Sequence, residues 1–274
     1  MTRMFSFIKR TWNPVVGCYH ACSYCWARRM AHRLRCPWCK IFEPHFHKER
    51  LRPFRPRQET TIFVVDMGDL WGAWVPDEWI EQVLAIAGRS SRKAMFFFET
   101  KNPIRYFEFI DDIPKSATLS TTIETDLSYV AKKFSSAPSP YERYVAIRNI
   151  SWPVKHVSIE PVMRFSPELV DWLSEIDGLK AVSIGYDNYG HKLPEPPLES
   201  VQRLIEELQA IGLSVEVKTL RPAWWEAARG LVSYPLSQEH PGGKTESTPS
   251  TMPSVQLHVQ GQRDQSSQKP MCMR

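Results

Sequence analysis

Three cysteines lie within eight residues near the start of the chain, in the segment TWNPVVGCYHACSYCWARR (11–29). They are Cys18, Cys22 and Cys25, spaced C-x3-C-x2-C. A disulfide would leave one of them over, whereas thiolates this close together are typical metal ligands. A structural zinc ion usually takes four protein ligands, so three cysteines favour an iron–sulfur cluster with one iron left open. The alternative is a zinc knuckle with His20 or His32 as the fourth ligand.

A second group of potential metal ligands follows in the segment CPWCKIFEPHFH. A C-x2-C pair with two nearby histidines has the donor atoms of a tetrahedral zinc site, although the gap from cysteine to histidine is shorter than in zinc fingers. The alternative is two thiols without a metal, beside a hydrophobic turn at Trp38 and surface histidines. The four candidate ligands are Cys36, Cys39, His45 and His47.

The composition is that of a globular protein, because 42% of the 274 residues are hydrophobic and 24% are charged. No apolar run is long enough to span a bilayer, and the N-terminal MTRMFSFIKR lacks the apolar region of a signal peptide. We therefore expect a cytoplasmic protein without membrane contact. Thiols stay reduced there, so clustered cysteines more often bind metal than pair.

Positive charge is concentrated in one segment, although the formal charge of the whole chain is only +5. Residues 28–57 contain ten Lys and Arg residues and two acidic residues, Glu43 and Glu49. Such a segment is typical of nucleic-acid contact, and a solvated helix face and loop is the alternative. Phosphate binding would make the contact sensitive to salt.

Strands and helices that could position these residues alternate regularly after Thr60. Six runs rich in β-branched and aromatic residues are each followed by a loop or a helical pattern, which predicts a parallel sheet with crossover helices. Together with the cysteine-bearing segment, they predict an α/β fold, a partial or complete (β/α) TIM-type barrel with the cysteine loop after its first strand. The six runs are 61–67, 94–101, 117–124, 155–162, 179–188 and 213–220.

Two boundaries follow from these patterns. Residues 1–230 form the barrel domain, with a helix over 26–35 and a Cys/His-rich basic insertion at about 36–57. Residues 231–274 are rich in Ser, Thr, Pro, Gln and Gly and have no sustained apolar period. They cannot bury enough surface to offset the entropy of ordering, so they predict a disordered tail that includes Cys272.

Polar residues follow the ends of most predicted strands. Because active sites of barrels are built at the carboxyl ends of the strands, we expect these side chains to converge on one mouth. Any one of the acids could instead cap a helix or pair with a lysine. The set is Asp66, Asp69, Glu99, Lys101, Glu124, Glu160, Tyr186, Asp187, Asn188 and Lys218.

Five ordered motifs between about residues 11 and 220 resemble a branch of the radical S-adenosylmethionine (radical SAM) superfamily. This branch is a phage-related and prokaryotic group of unassigned function, with distant similarity to spore photoproduct lyase. The motifs are WNPVVGC (12–18), the third cysteine followed by Trp26, Ala27 and a basic helix, FVVDMGDL (63–70), TKNP (100–103) and SIEP (158–161). Trp26 stands where the branch usually has tyrosine.

The resemblance implies that Cys18, Cys22 and Cys25 hold a [4Fe-4S] cluster. Its open iron would bind S-adenosylmethionine, which is cleaved reductively to a 5′-deoxyadenosyl radical. The implied partners are an electron donor such as a flavodoxin or ferredoxin, and a nucleic-acid substrate bound through residues 28–57. Zinc at the second cysteine pair would be an additional cofactor.

The same resemblance implies roles for residues beyond the cysteines. Lys101, Glu124 and Glu160 would be the catalytic residues that line the cofactor and substrate cavity. Arg143 would meet the carboxylate of the cofactor, a bidentate contact that suits a guanidinium. The implied cofactor-binding residues are Tyr24 near the adenine, Asp66, Asp69, Arg143 and Tyr186.

The sequence also departs from the superfamily pattern. No Gly-Gly-Glu follows the second strand, so backbone carbonyls or Asp66 and Asp69 would bind the methionyl amino group. The pair Cys36 and Cys39 has no expected counterpart in the branch and would be a lineage-specific metal staple. Two alternative functions remain: a zinc-bearing nucleic-acid-binding protein without catalysis, and an inactive barrel that serves as an interaction partner.

Overall fold

The computed structural model describes residues 5–228, so the tail predicted at 231–274, with Cys272, lies outside the described residues. Strands and helices alternate along the described chain, as the sequence predicts. In chain order they are β1 (Arg10–Trp12), β2 (Val15–Val16), α1 (Trp26–Ala31), α2 (Pro37–Ile41), β3 (His45–Phe46), a 3-10 helix (Lys48–Arg50), β4 (Thr60–Val64), α3 (Asp77–Gly88), β5 (Ala94–Thr100), a second 3-10 helix (Pro103–Phe109), β6 (Thr118–Thr122), α4 (Ser128–Ala131), α5 (Pro140–Asn149), β7 (Lys155–Ile159), α6 (Glu168–Ser174), β8 (Leu179–Ile184), α7 (Leu198–Ala210), β9 (Ser214–Val217) and α8 (Trp224–Ala228).

Seven of these strands form one parallel sheet in the order β1-β4-β5-β6-β7-β8-β9. The sequential order with helical crossovers confirms the predicted α/β fold of the (β/α) barrel type. Within residues 5–228, β1 and β9 remain the two edges of the sheet, so the barrel is partial. β2 and β3 form a separate antiparallel pair.

The sheet curves around the segment that precedes β1. The ring of Phe5 lies 5.9 Å from that of Phe63 on β4 and 5.5 Å from that of His156 on β7. The backbone N–H of Ser6 donates to Oε1 of Glu216 on β9 at 2.6 Å. One short segment reaches side chains from both halves of the sheet, which requires a concave face of the kind found in barrels.

Local sequence explains where the main helices lie. Ser139 caps α5 through a capping box with Glu142, and Pro140 occupies the first turn, where its missing N–H costs nothing. α3 and α7 bury residues at the spacing i, i+3, i+4, i+7, which turns one face of each helix to the sheet. These residues are Ile80, Val83, Leu84 and Ala87 in α3, and Val201, Leu204, Ile205 and Leu208 in α7.

The helix predicted over 26–35 is shorter in the structure, since α1 ends at Ala31. A new helix, α2, begins at Pro37. A residue before proline is disfavoured in helical conformation, which explains why one continuous helix does not form. No helix within residues 5–228 is both long and apolar enough to cross a membrane.

Candidate active site at the carboxyl ends of the strands

The cysteine loop, residues 17–25, connects β2 to α1 and begins against the segment that follows β4. The N–H of Gly17 donates to the carbonyl of Met67 at 2.9 Å, and Gly17 forms an isolated bridge with Gly68. Gly17 has a φ of +98°, and a Cβ at this position would lie 2.5 Å from the backbone of Glu43. The glycine of the WNPVVGC motif is therefore required by both backbone conformation and close approach.

The other side of the loop is attached to the segment after α4. Ser23 N–H donates to the carbonyl of Phe134 at 2.8 Å, and Ser136 N–H donates to the carbonyl of His20 at 2.7 Å. The Sγ of Cys22 lies 3.1 Å from Oγ of Ser135. The loop is thus held between the segment at Met67 and a segment more than 100 residues further along the chain than the loop, which fixes the positions of its thiols.

Two of the three thiols in the loop accept hydrogen bonds from the backbone. N–H groups donate to Sγ of Cys18 at 3.4 Å and to Sγ of Cys25 at 3.3 Å. Burial raises the pKa of Cys18, with a further increase from the Asp69 carboxylate, and burial also raises the pKa of Cys25. Cluster binding by these thiols stays a prediction.

Cys18, Cys22 and Cys25 lie near one another, because the charges of Cys22 and Cys25 are among the smaller causes that raise the pKa of Cys18. The loop therefore brings the three sequence-predicted cluster ligands together. His20, one candidate for the fourth ligand of a zinc knuckle, contacts Asp69.

Asp69 joins the cysteine loop to the ends of β4 and β5. Its Oδ2 lies 2.9 Å from Nε2 of His20 and accepts from the backbone N–H of Lys101 at 3.0 Å. The hydroxyl of Thr100 donates to both carboxylate oxygens, at 2.7 and 2.9 Å. Burial opposes ionisation, but these donors, with His20 first, lower the pKa of Asp69. These contacts support the loop, and cofactor binding by Asp69 stays a prediction.

Asp66 is held by the WNP motif. The side-chain amide of Asn13 donates to Oδ1 of Asp66 at 2.5 Å, while the amide oxygen of Asn13 accepts from the N–H of Met67 at 2.9 Å. Burial raises the pKa of Asp66. Asn13 therefore fixes the turn after β4, and the predicted contact between Asp66 and a cofactor is not tested by this geometry.

Glu124, two residues beyond the end of β6, is the centre of a buried charged cluster. Its Oε1 accepts from the hydroxyl of Tyr24 at 2.6 Å and pairs with Lys101, while its Oε2 accepts from Nη1 of Arg143 at 2.8 Å. The ammonium of Lys101 also lies 5.4 Å from the centre of the Tyr24 ring. Three of the sequence-predicted site residues thus meet a fourth, Tyr24, from the cysteine loop.

The charges in this cluster have defined protonation states. Burial opposes ionisation of Glu124, but Arg143 and then Lys101 hold its pKa well below the usual range. Burial, followed by the Glu124 carboxylate, raises the pKa of Tyr24, which remains a neutral donor. Arg143 also donates to the carbonyl of Thr122 at 2.5 Å, but its buried Nε has no hydrogen-bond partner among residues 5–228.

Glu160, directly after β7, pairs with Lys218, directly after β9. Burial raises the pKa of Glu160, although Lys218 opposes the shift. Both side chains retain some exposure, 20% for Glu160 and 14% for Lys218, so they line an accessible part of the sheet mouth. Glu160 does not contact Glu124 or Lys101. The three predicted catalytic residues are therefore divided between two ion pairs, Lys101–Glu124 and Lys218–Glu160.

Tyr186 is placed in a different environment from the other predicted cofactor residues. It is fully buried, its hydroxyl donates to the carbonyl of Pro196 at 3.1 Å, and the guanidinium of Arg221 lies 5.0 Å from its ring centre. Burial raises its pKa. These contacts anchor the chain after β8, and none of them reaches the cysteine loop.

A chain of hydrogen bonds inside the curved sheet was missed by reasoning from the sequence. His156 on β7 lies 2.9 Å from the hydroxyls of both Ser120 and Ser183. Ser120 is also 3.1 Å from Oε1 of Glu99, and Ser183 donates to Glu216 at 2.9 Å. The signal was present as polar residues within strands β6, β7 and β8, which is unusual for strands covered on both faces.

Burial shifts the pKa of two groups in this series of hydrogen bonds, His156 and Glu99. Burial, with a smaller effect of Lys218, lowers the pKa of His156 to about 3, so its ring is neutral and has one donor and one acceptor. Burial raises the pKa of Glu99 to about 7, although Lys101 opposes this. The hydroxyl of Ser120 donates to Oε1 of Glu99, and this contact also opposes the rise in the pKa of Glu99.

The second set of potential ligands is compact. Nε2 of His45 and Nε2 of His47 each lie 3.3 Å from Sγ of Cys39 and 2.9 Å from each other. Sγ of Cys36 lies 3.8 Å from Nε2 of His45. All four ligand atoms are within 4.8 Å of one another, so the sequence-predicted Cys/His group is brought together.

The basic segment is exposed beside the cysteine loop. All ten Lys and Arg residues of 28–57 except Arg50 are exposed, and Arg50 is half-buried. Arg28 donates to the carbonyl of Cys18 at 2.9 Å, and the guanidinium of Arg29 lies 5.1 Å from the ring centre of Tyr189. Positive charge therefore borders the candidate site.

Comparison with known proteins first defines the class of fold. A double mutant of spore photoproduct lyase with bound AdoMet and dinucleoside spore photoproduct superposes with a TM-score of 0.57 at 11% identity, over 81% of this chain and 78% of that one. A cysteine-to-alanine mutant of the lyase with dinucleoside spore photoproduct gives 0.54 at 13% identity, over 79% and 80%. The chain shares the fold of these structures.

The family follows from the sequence itself. The model of the family described as "Protein of unknown function (DUF5131)" matches residues 2–177, and the chain belongs to this family. No curated protein matches the chain. The phage-related origin and the electron donor implied by the resemblance stay predictions.

Proposed function

We propose that this protein is a radical SAM enzyme in which Cys18, Cys22 and Cys25 hold a [4Fe-4S] cluster. When bound, the cluster supplies the electron that cleaves S-adenosylmethionine to a 5′-deoxyadenosyl radical. One observation carries the proposal: the three-cysteine loop lies at the carboxyl ends of a parallel, barrel-type sheet and is tied there through Tyr24 to Glu124. Barrel enzymes build their active sites at this end of the sheet.

The chain's own residues fit the cofactor at this position. Arg143 has a buried Nε without a hydrogen-bond partner among the described residues, and such donors are rare unless a ligand uses them. This supports the assignment of Arg143 to the cofactor carboxylate. Lys101 and Arg143 keep Glu124 ionised, so the carboxylate orients Tyr24 and, with it, the cysteine loop.

Glu160 and Lys218 are assigned to the substrate side of the same mouth. The side chain of Glu160 is 20% exposed, whereas that of Glu124 is 1% exposed, so Glu160 or its partner Lys218 could orient a polar substrate group or exchange a proton with it. The sheet interior below them is filled by aromatic rings and by the hydrogen-bonded chain through His156, which leaves little room for water. Exclusion of water protects a reactive radical from side reactions.

Anaerobic reconstitution with iron and sulfide tests the proposal. We expect the wild-type protein to gain the broad visible absorbance of an iron–sulfur cluster and, with a reductant, to convert S-adenosylmethionine into 5′-deoxyadenosine, measured by mass spectrometry. Cys22→Ala should produce neither signal while its circular dichroism stays that of the wild type. A wild-type protein that binds iron but forms no 5′-deoxyadenosine would overturn the proposal, and so would equal product from Cys22→Ala.

The substrate class that we propose is nucleic acid. Nine Lys and Arg residues of 28–57 are exposed, and the first of them, Arg28, donates to the carbonyl of Cys18 in the cysteine loop. Unneutralised positive charge of this density attracts a phosphate backbone, and each phosphate contact releases counterions. The lyase of similar fold was crystallised with a dinucleoside photoproduct, which agrees with this substrate class.

Fluorescence anisotropy with labelled single-stranded and duplex oligonucleotides measures this contact. Reversing the charge of two exposed residues, Arg33→Glu with Arg35→Glu, should weaken binding about tenfold or more and lower the slope of log K against log salt by about 2. The matched control is Lys180→Glu with Arg203→Glu, two exposed cations outside the basic segment. Equal weakening by both pairs would indicate a nonspecific effect of net charge and contradict a site at 28–57.

A further inference from the structure

We infer that, in the reduced protein, Cys36, Cys39, His45 and His47 bind one structural zinc ion that fastens the basic segment to the cysteine loop. Two sulfur and two nitrogen donors are a set that selects zinc with tetrahedral geometry. The site is separate from the three-cysteine loop. It holds whether or not the proposed radical chemistry is correct.

The distances between the ligand atoms already approximate the edges of a tetrahedron. Zinc–sulfur and zinc–nitrogen bonds of about 2.3 and 2.05 Å give edges of about 3.3 Å between two nitrogens and about 3.6 Å between nitrogen and sulfur. The corresponding distances are 2.9 Å between the two histidines and 3.3 Å from each histidine to Cys39. Shifts of about 0.4 Å would therefore open the group around an ion.

The histidines are oriented by partners on their other ring nitrogen. Nδ1 of His45 lies 2.6 Å from the carbonyl of Glu43, and Nδ1 of His47 lies 2.7 Å from Oε1 of Glu49. Both contacts fix the tautomer with the proton on Nδ1, which leaves Nε2 of each ring as the ligand atom. A carbonyl or carboxylate in this position is the usual support of a zinc-bound histidine.

Burial indicates a structural rather than a catalytic ion. Cys39 and His47 are each 1% exposed and His45 is 6% exposed, and only Cys36 of the four is half-buried. Four protein ligands complete the coordination of a structural zinc, whereas catalytic zinc keeps one position open. The Cys/His group would therefore hold a structural ion, whereas the three-cysteine loop is proposed to hold a reactive cluster.

The location explains what the ion stabilises. His47 N–H donates to the carbonyl of Pro14 at 2.7 Å, and His45 pairs with Val16 between strands β3 and β2. The backbone of Glu43 and Pro44 lies against Gly17, the first residue of the cysteine loop. A zinc ion bound to His45 and His47 would therefore stabilise the backbone at Glu43 and Pro44, which contacts the first residue of the cysteine loop.

Metal analysis of the full-length chain, purified reduced and without chelators, tests the site. We use a background in which Cys18, Cys22 and Cys25 are all alanine, so that iron at the loop cannot contribute. We expect about one zinc per chain and no iron in this background and in its His32→Gln derivative, a control at an exposed histidine outside the group. Cys39→Ser and His47→Gln should each reduce the zinc content at least fivefold.

Cobalt substitution provides a second measurement in case Cys39→Ser does not fold. The same background, loaded with Co²⁺, should develop the intense visible bands of tetrahedral coordination and lose them to competing Zn²⁺. Glu49→Gln should weaken zinc about tenfold to hundredfold without removing the bands, because Glu49 only positions His47. Glu59→Gln, an exposed carboxylate nearby, is its control.

These measurements distinguish failure of the zinc inference from failure of the proposed radical SAM activity. No zinc in the reduced background, octahedral cobalt spectra, or zinc retained by both Cys39→Ser and His47→Gln would overturn the inference. Failure of 5′-deoxyadenosine formation with zinc still bound would overturn the enzyme proposal alone. Zinc lost from the three-alanine background, but present in the wild type, would assign the ion to the cysteine loop and reject the inference.

Discussion

The cysteine loop and the Cys/His group are adjacent in space, but their supports come from different distances along the chain. Tyr24 and Cys22 of the loop contact residues 100 and 113 positions away, and His20 contacts Asp69, 49 positions away. The contacts of His45 and His47 with the cysteines span only 6 to 9 positions, and Glu49 is 2 positions from His47. One site depends on the whole sheet, and the other is nearly local.

This difference has a consequence for stability and for chemistry. A local site with four ligands can gain most of its energy from the metal, because few other contacts order the segment. A loop supported by the ends of several strands is ordered by the fold and can leave one metal position open for a substrate. The four predictions below test the contrast.

The largest effect is expected from removing a zinc ligand. Cys39→Ser should lower the midpoint of thermal unfolding by about 10 °C, since loss of a structural metal costs several kcal/mol in a domain of this size. Cys22→Ala should shift it by no more than about 3 °C, because the hydrogen bonds of the loop backbone remain. Circular dichroism melts of reduced protein with zinc measure both. Equal shifts would mean that the two sites do not differ as proposed.

Removing the central carboxylate should loosen the cysteine loop without affecting zinc. Glu124→Gln leaves Lys101 and Arg143 buried without their anion, for which we expect a loss of about 3 kcal/mol in the free energy of unfolding from urea titrations. Glu175→Gln, which removes an exposed partner of Arg148, is the control and should change little. Zinc content should be unchanged in both variants. Loss of zinc from Glu124→Gln would contradict the local character of the Cys/His group.

A single glycine should link the two sites. Gly17→Ala combines a φ of +98° with a Cβ 2.5 Å from the backbone of Glu43, and we expect a loss of about 2 kcal/mol together with reduced iron and zinc contents. Gly212→Ala has a similar φ of +88° but nothing within 4 Å, so it should cost about 1 kcal/mol and leave both metals in place. Identical metal contents in the two variants would show that the sites are mechanically independent.

The smallest effect concerns the sheet interior. The pKa of Glu99 is raised to about 7 in the folded protein, so the folded state binds more protons than the unfolded state between the ordinary pKa and that value. The contribution of Glu99 to stability is present at low pH and is lost as pH rises through about 7. Relative to Glu99→Gln, we expect the wild type to lose about 1 kcal/mol between about pH 5 and pH 7.5, because Glu99 is half-buried and partly screened.

Urea unfolding of both proteins at the two pH values measures this difference. The variant serves as its own control for the other titrating groups, since only the Glu99 carboxyl differs. A wild type that gains stability relative to Glu99→Gln with rising pH would reverse the sign and disprove a protonated Glu99. Zinc content should be independent of this substitution.

Periodicity predicted the architecture well. The apolar runs that begin near Thr60 coincide with β4 to β9, and their alternation with helices predicted a parallel sheet in sequential order. The sequence did not decide whether the barrel is partial or complete. Closure of the barrel depends on the curvature of the sheet and on how the segment at Phe5 fills its concave face. Helix ends were less predictable: α1 stops at Ala31, four residues before the expected end.

The candidate site was predictable in its members but not in their pairing. Lys101 and Glu124 were expected at strand ends, yet their common partner Tyr24 comes from the cysteine loop. Tyr186 was expected with the cofactor, but its contacts are with Pro196 and Arg221. The hydrogen-bonded chain through His156 was not expected, because the polar residues of different strands become neighbours only after the sheet forms.

The sequence by itself determined the ligand types, the local Cys/His group and the order of strands, since these depend on short spacings and on the period of apolar residues. Only the tertiary structure decided which charges meet, because partners such as Tyr24 and Glu124 lie 100 residues apart. It also decided the protonation of Glu99 and Glu124, two carboxyls of the same type with opposite pKa shifts. Burial raises the pKa of both, and only at Glu124 do two nearby cations overcome it.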